Sequence, residues 1–266
     1  AGWIPRTRNH AGFPDGISGE ELLERMRDQA ARYGALREPR RVSDLKRDGD
    51  HFTVRCDDEE YRARTVLLAT GVVNNRPDGI DESLHDEALS HGLIRYCPVC
   101  DGYEVTDKRV AVIGSGNHGT AEAQFIRSYT RDLTLVSPHG DHDLSPQCTR
   151  VLDDAGVDRV AGPCGNFAIE NDRIAFDTAE GRMAFDSIYP ALGSKIRSGL
   201  AVDCGADVSD AGCILVGDHL ETSVPGLFAA GDVVIGLDQI SHAMGQAGVA
   251  ATTIRNHLAA QAPLRR

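Results

Sequence analysis

The sequence predicts an α/β fold of two similar three-layer domains, and three observations predict it. A glycine-rich turn, Gly114-Ser115-Gly116-Asn117-His118-Gly119, stands between a strand pattern and a helix pattern. One order of elements, a hairpin followed by a short apolar strand, occurs twice in the chain. Each copy closes on glycine: Thr65-Val66-Leu67-Leu68-Ala69 runs into Thr70-Gly71, and Ser187-Ile188-Tyr189-Pro190-Ala191-Leu192 runs into Gly193.

Taken in order, the first element is a helix from Ser18 to about Tyr33. Ser18 and Glu21 have capping-box spacing, and Leu22, Leu23, Met26 and Ala30 recur on one face. The period then changes to strands. Val42-Ser43-Asp44-Leu45 and His51-Phe52-Thr53-Val54 flank Asp48-Gly49 as a hairpin, and the apolar strand 65–69 follows. In the second copy Arg109 to Ile113 reads as a strand and Thr120 to Tyr129 as a helix, with Ala121, Phe125 and Ile126 turned inward. Between them the glycines permit a tight turn and close backbone approach, and the helix N-terminus offers free N–H groups to a pyrophosphate, so Gly114, Gly116, Asn117 and Gly119 are candidate cofactor contacts. Phe167-Ala168-Ile169 and Ile174-Ala175-Phe176 around Asn171-Asp172 make the second hairpin. The prediction is therefore two Rossmann-like dinucleotide-binding domains.

The repeat also says what is expected outside these residues. The interval from Gly119 to Gly193, laid backwards from Gly71, runs off the start of the chain, so an opening βαβ unit with its own glycine turn is expected before residue 1. Near the other end, Leu227 to Ala230 is a short apolar strand ending in Gly231-Asp232, where glycine admits a cofactor and the carboxylate accepts from a ribityl or ribose hydroxyl. Gln239 to about Leu258 is a long helix carrying Ala243, Gly245, Ala247, Gly248, Ala250 and Ala251, small residues suited to close packing.

Composition narrows the functional classes. With 28 Lys and Arg against 40 Asp and Glu the net charge is −12, a surface that repels phosphate backbones and anionic lipid, so neither nucleic acid nor membrane is an expected partner. No apolar run reaches the ~18 residues of a membrane span, and the opening residues lack a secretory apolar stretch; a cytoplasmic location is expected. Seven cysteines are present, of which only Cys97 and Cys100 are close in sequence. Cys56, Cys148, Cys164, Cys204 and Cys213 are scattered, which is not a disulfide framework, and they are read as small apolar residues.

Cys97-Pro98-Val99-Cys100-Asp101-Gly102 is the sharpest motif. Two intervening residues let the sulfurs meet across one turn, and nearby N–H groups stabilise a thiolate. Asp101 is placed to give or take the proton that moves when a thiol leaves. The competing zinc reading needs a second Cys or His pair at comparable spacing, and the sequence has none. No metal site is expected. His118 reads as an exposed loop residue, His242 as structural, and Tyr96 and Tyr103 as packing groups beside the redox motif.

Together the segments Asn9-x-x-Gly12-Phe13-Pro14, Ala69-Thr70-Gly71, Cys97-x-x-Cys100-Asp101-Gly102, Gly114-x-Gly116-x-x-Gly119 and Thr222-Ser223-x-Pro225-Gly226-Leu227-Phe228-Ala229-Ala230-Gly231-Asp232 resemble the low-molecular-weight bacterial thioredoxin reductases, over essentially the whole chain. The resemblance implies an FAD domain of residues 1–72 and 194–266, and an inserted pyridine-nucleotide domain of residues 73–193 that carries the cysteines. It implies that the domains rotate to present nicotinamide or disulfide to the flavin, that Cys100 faces the flavin, that Cys97 attacks the partner's disulfide and that Asp101 is the acid. Asn9, Thr70, Gly71, Gly231, Asp232 and Gln239 would touch FAD. NADPH or NADH as donor, thioredoxin or a small disulfide as substrate, and a homodimer are implied in the same way.

Two departures qualify the likeness. The family's first glycine turn, which grips the FAD pyrophosphate, belongs to the expected opening unit. After Leu133-Thr134-Leu135-Val136 the family's His-Arg-Arg cluster for the NADPH 2′-phosphate is replaced by Ser137-Pro138-His139-Gly140-Asp141, with no acid at the strand end for NAD. A ferredoxin-like donor is therefore an alternative, as are a dithiol oxidase acting on a small molecule and a flavin-less regulatory or binding remnant.

Overall fold

A computed structural model of the chain describes residues 1–262. Helix α1 (Gly19–Arg32) is followed by strands β1 (Asp44–Asp48), β2 (His51–Cys56), β3 (Glu59–Ala63), β4 (Val66–Leu68) and β5 (Val72–Asn74). Then come α2 (Glu82–Ser90), the single turn α3 (Pro98–Asp101), β6 (Val110–Ile113), α4 (Gly116–Ile126), β7 (Leu133–Val136), α5 (Pro146–Ala155), β8 (Asp158–Val160), β9 (Gly165–Glu170), β10 (Arg173–Thr178), β11 (Gly181–Phe185) and β12 (Ser187–Pro190). The chain ends with β13 (Ser194–Ile196), α6 (Gly199–Asp203), β14 (Leu227–Ala229) and α7 (Ile240–Gln261).

These elements form two compact units, named by their place in the sequence: a central one, Ala1–Ala30 with Asn74–Ser194, and a flanking one, Ala31–Val73 with residues 195–262. In the central unit a parallel sheet runs β12-β6-β7-β8. Every residue of β6, β7 and β12 is buried, as a parallel sheet covered on both faces requires. The two faces alternate along each strand. Val110, Val112, Leu133 and Leu135 meet Ala123 and Ile126 of α4 and Leu152 of α5. Ala111, Ile113, Val136 and Ile188 meet Phe167, Ile174, Phe176 and Phe185 of the antiparallel sheet β11-β10-β9.

The flanking unit repeats this layering. Leu45 and Phe52 of the antiparallel sheet β1-β2-β3 pack on Leu68, Leu227 and Ala229 of the parallel pair β4 and β14. On the opposite side Leu67 and Ala230 meet Ala250 of α7. The expected three-layer Rossmann-like architecture, present twice, is what the chain adopts.

Local chemistry explains the elements that matched. Ser18 Oγ accepts from the Glu21 N–H at 3.2 Å and opens α1. The β9–β10 turn places both Asn171 (φ 48°) and Asp172 (φ 60°) in the left-handed region, the geometry of a tight two-residue hairpin. Other expectations shift. Helix α4 starts at Gly116, not Thr120, because the turn glycines wind into its first turn. Its inward face is Gly119, Thr120, Ala123 and Ile126, with Ala121 and Phe125 exposed. The small residues of α7 do not line a tight interface: Ala250 alone is fully buried, while Gly245, Ala247, Gly248 and Ala251 are exposed.

Residues 1–30 pack with the central unit. Trp3 lies 5.0 Å from the His85 ring and 5.6 Å from Tyr96, with the Arg76 guanidinium 5.3 Å above it. Residues 263–266, the end of the expected FAD domain, lie outside the described residues.

Candidate active site

Cys97 ends an extended stretch (φ −140°, ψ 91°) and becomes the N-cap of α3, with Pro98 fixing the first helical φ. One turn later Cys100 returns beside it, its N–H donating to the Cys97 carbonyl at 2.9 Å. The two sulfurs are joined as a disulfide across a Cα separation of 5.3 Å. Their exposures differ: Cys100 is 5% exposed, and Cys97 is half-buried.

The segment after Thr7 lies on this redox turn. Asn9 Nδ2 donates to the Val99 carbonyl at 3.0 Å, and the Arg8 N–H donates to the Cys100 carbonyl at 3.4 Å. Arg8 also forms an ion pair with Glu104 and stands 5.9 Å over the Tyr103 ring. Asn9, which the resemblance assigns to FAD, thus has its side chain on the cysteine turn. Arg8 to Pro14 line a cavity of about 330 Å³. Tyr103 is 67% exposed, so its packing is confined to Arg8. Tyr96 does pack, on Trp3, and its hydroxyl lies 2.8 Å from His85 Nε2.

Behind the cysteines Asp101 is 3% exposed. Tyr189 donates to its Oδ1 at 2.8 Å, and Arg95 Nη1 stands 3.1 Å from Oδ2. Burial pushes the Asp101 carboxyl above its usual range, against the pull of Arg95 and Tyr189. Glu122 on α4, half-buried, is pushed up to about 7 by its partial burial and by the Asp101 charge. Sequence reasoning named Asp101 and missed Arg95, Glu122 and Tyr189. One signal was present: a tyrosine in an otherwise buried strand needs a partner for its hydroxyl.

At the glycine turn, Gly119 is where helix meets strand, since a Cβ there would stand 2.8 Å from the Gly114 carbonyl carbon. Gly116 has φ +59° and open space around it, the nearest atom to an added Cβ being the Asp143 carbonyl oxygen at 3.6 Å. The loop between β7 and α5 folds back here. The Asp143 N–H donates to Ser115 Oγ at 2.9 Å, His142 Nδ1 lies 3.4 Å from the same oxygen, and His142 Nε2 lies 3.2 Å from the Leu135 carbonyl. Asn117 Oδ1 accepts from the Cys148 thiol at 3.1 Å. His118 is exposed. The glycines fit the approach of a dinucleotide, and the loop folded back beside them carries Asp141 and Asp143.

In the flanking unit the remaining candidates gather at the carboxyl ends of two parallel strands. Leu68 of β4 is in register with Ala229 of β14, which sets Thr70 and Gly71 beside Gly231 and Asp232. This is where ligands enter α/β sheets. Gly71 (φ +63°) has nothing within 4 Å of an added Cβ. The Gly231 N–H donates to Gln246 Oε1 at 2.7 Å, and Ala243 packs 3.6 Å from its missing Cβ. Gln239 is the N-cap of α7. Thr70 Oγ1 donates to the Arg197 carbonyl at 2.7 Å. His242 Nε2 is buried without a hydrogen-bond partner, an orphan that a ligand at these strand ends would satisfy. These residues fit the polyol and ring end of a flavin nucleotide; among the described residues of this unit, no glycine-rich turn joins a strand to a helix to hold its pyrophosphate.

The sequence pattern of the pyridine nucleotide-disulphide oxidoreductases matches residues 9–247. The chain belongs to that family. As a pyridine nucleotide-disulphide oxidoreductase it is an oxidoreductase of the thioredoxin reductase-like, flavin-dependent kind, and membership implies FAD and a pyridine nucleotide. It is 29% identical over 237 residues to a thioredoxin reductase of Mycolicibacterium smegmatis, covering 85% of this chain and 74% of the relative. A thioredoxin reductase of Aquifex aeolicus is 28% identical over 244 residues, covering 88% and 74%. The crystal structure of a thioredoxin reductase from Streptococcus pyogenes superposes with a TM-score of 0.86 at 25% identity, covering 97% of this chain and 86% of that one. Among the described residues of this family member no helix is long and apolar enough to cross a membrane.

Proposed function

We propose that this chain reduces the disulfide of thioredoxin or a similar small protein through Cys97 and Cys100, with FAD between them and a nicotinamide donor. The observation that carries this reading is the joined pair of unequal exposure, the more exposed sulfur leading. The Cys97 thiolate attacks one sulfur of the partner's disulfide, forming a mixed disulfide and releasing the other partner sulfur as a thiolate. Cys100 then attacks Cys97, expelling the second partner thiolate and restoring the Cys97–Cys100 bond. Asp101 supplies a proton to a leaving thiolate. When bound, FAD supplies the two-electron carrier that links donor to disulfide. Asn9, Thr70, Gly71, Gly231, Asp232 and Gln239 are the proposed contacts to FAD; Gly114, Gly116, Asn117 and Gly119 are those to NADPH or NADH. A homodimer is proposed on the likeness to thioredoxin reductases. A cytoplasmic location is supported by Cys56, Cys148, Cys164, Cys204 and Cys213 being free thiols.

One observation favours a second reading of the donor. The segment after β7, Ser137 to Asp143, carries no Lys or Arg for a 2′-phosphate, and a ferredoxin-like donor does not depend on that segment. A visible absorbance spectrum of the purified chain, followed by anaerobic titration with NADPH, NADH and reduced ferredoxin, tests cofactor and donor together. Flavin bands bleached by a nicotinamide support the first reading, and bleaching by ferredoxin alone supports the second. Cys97→Ser is expected to abolish thioredoxin reduction while leaving flavin reduction intact, and retained turnover in that variant overturns the assignment.

A further inference from the structure

We propose that Arg95 and Tyr189 are positioning residues for the thiol exchange, pinning the two oxygens of Asp101 and so governing when that carboxyl can hand a proton to the cysteine pair. The inference rests on the reading of Asp101 as the acid beside Cys97 and Cys100.

The arrangement is built into the central unit. Arg95 is 7% exposed and Asp101 3%, so water cannot take over either contact. Arg95 Nε donates to the Gly92 carbonyl at 3.0 Å, and its backbone N–H donates to the Ile188 carbonyl at 2.9 Å, which ties the guanidinium to Gly92 and the backbone to β12. Gly92 is where the guanidinium fits: a Cβ there would stand 2.5 Å from Arg95 Nη2, and φ is +68°. Tyr189 leaves the middle of β12 fully buried and reaches Asp101 Oδ1 at 2.8 Å. One carboxylate oxygen thus accepts a hydrogen bond from a hydroxyl, and the other faces the Arg95 cation as a buried ion pair.

The charged and titratable groups around Asp101 come from four directions. Arg95, from the segment before α3, and Tyr189, from β12, favour the ionised form. Glu104, in the turn after α3, opposes it and is itself paired with Arg8. Glu122 on α4 repels the same charge. The cysteines stand on Asp101's own turn. Removing a donor therefore makes Asp101 keep its proton to higher pH, and removing the Glu122 charge does the reverse. A purely structural brace predicts no such pair of opposite movements.

The test uses the full chain with its Cys97–Cys100 bond opened by dithiothreitol and the excess removed. The rate at which the dithiol reduces oxidised glutathione, whose leaving thiolate is basic enough to need a proton, is followed against pH as glutathione released for the parent, Asp101→Asn, Tyr189→Phe, Arg95→Gln and Glu122→Gln, so FAD and donor are not needed. Asp101→Asn is expected to remove one inflection from the profile. Tyr189→Phe is expected to raise that inflection by about one pH unit, and Glu122→Gln to lower it. If Asp101→Asn removes the inflection while Tyr189→Phe leaves it in place, the positioning role fails and the acid reading stands. If Asp101→Asn leaves the profile unchanged, the acid reading fails and takes the proposal with it. Tyr189→Phe loses only an oxygen; should it nonetheless unfold, Arg95→Gln takes its place, a raised inflection supporting the positioning role and an unmoved one overturning it.

Discussion

A buried imidazole that ionises at ordinary pH has to leave its pocket or be paid for by its neighbours, and His85 shows the balance. It is fully buried beside Trp3, with Tyr96 Oη 2.8 Å from Nε2, and burial lowers its pKa below the usual imidazole value of 6.5 despite Asp86. His142, held between Ser115 and Leu135, is lowered for the same reason. A lowered folded pKa means that the unfolded chain binds more protons, so the stability these residues contribute is present above pH 6.5 and is lost as pH falls through the folded values. Between about pH 7 and pH 5 the thermal midpoint of the parent is expected to fall relative to that of His85→Gln, which lacks this loss, measured by circular dichroism. An unchanged slope in that variant would place the titration elsewhere. Glu122 acts with the opposite sign: its carboxyl, raised to about 7, contributes stability at low pH that is lost as pH climbs through that value. None of this was legible in the sequence, because it depends on which apolar neighbours close over each group.

At the scale of elements, turn chemistry was legible and edges were not. Asn171-Asp172 announced the β9–β10 hairpin because both positions need positive φ, which Asn and Asp tolerate better than most residues. Asp172→Gly is expected to raise the thermal midpoint slightly, whereas Asp172→Val costs about 1–2 kcal/mol, read from urea unfolding; equal stabilities would contradict the turn assignment. The third strand of each meander was not foreseen. β3 is Glu59-Glu60-Tyr61-Arg62-Ala63 with hardly any burial, so it carries no apolar alternation to recognise. The paired strands β5 and β13 escaped notice because each has only three residues. Helix α4 was placed but wrongly phased, since its buried face begins with the glycines that were taken to be loop.

Across the whole molecule, the repeat was the most legible feature, because it leaves the same order of hairpin, strand and glycine in two places. The layers it predicts are there twice, antiparallel sheet, parallel sheet and helix. The division of the chain was harder to read. The first thirty residues carry no period that says which core they join; the choice is made by Trp3 against His85 and Tyr96, and by Asn9 against Val99, contacts between residues far apart in sequence. The same holds for the site: the cysteine pair, the glycine turn and the strand-end glycines are local patterns, whereas Arg95 and Tyr189 meet Asp101 only after the sheet has formed.

The unequal burial of the two sulfurs has a practical consequence. Exchange that begins at the accessible sulfur is finished by the hidden one, so a chain that has lost only the hidden thiol starts the reaction and cannot end it. Cys100→Ser is therefore expected to remain covalently attached to the molecule it attacks, stable to denaturant and released by dithiothreitol, and the mass of the adduct would identify the substrate. Cys97→Ser, prepared alongside, should form no such adduct.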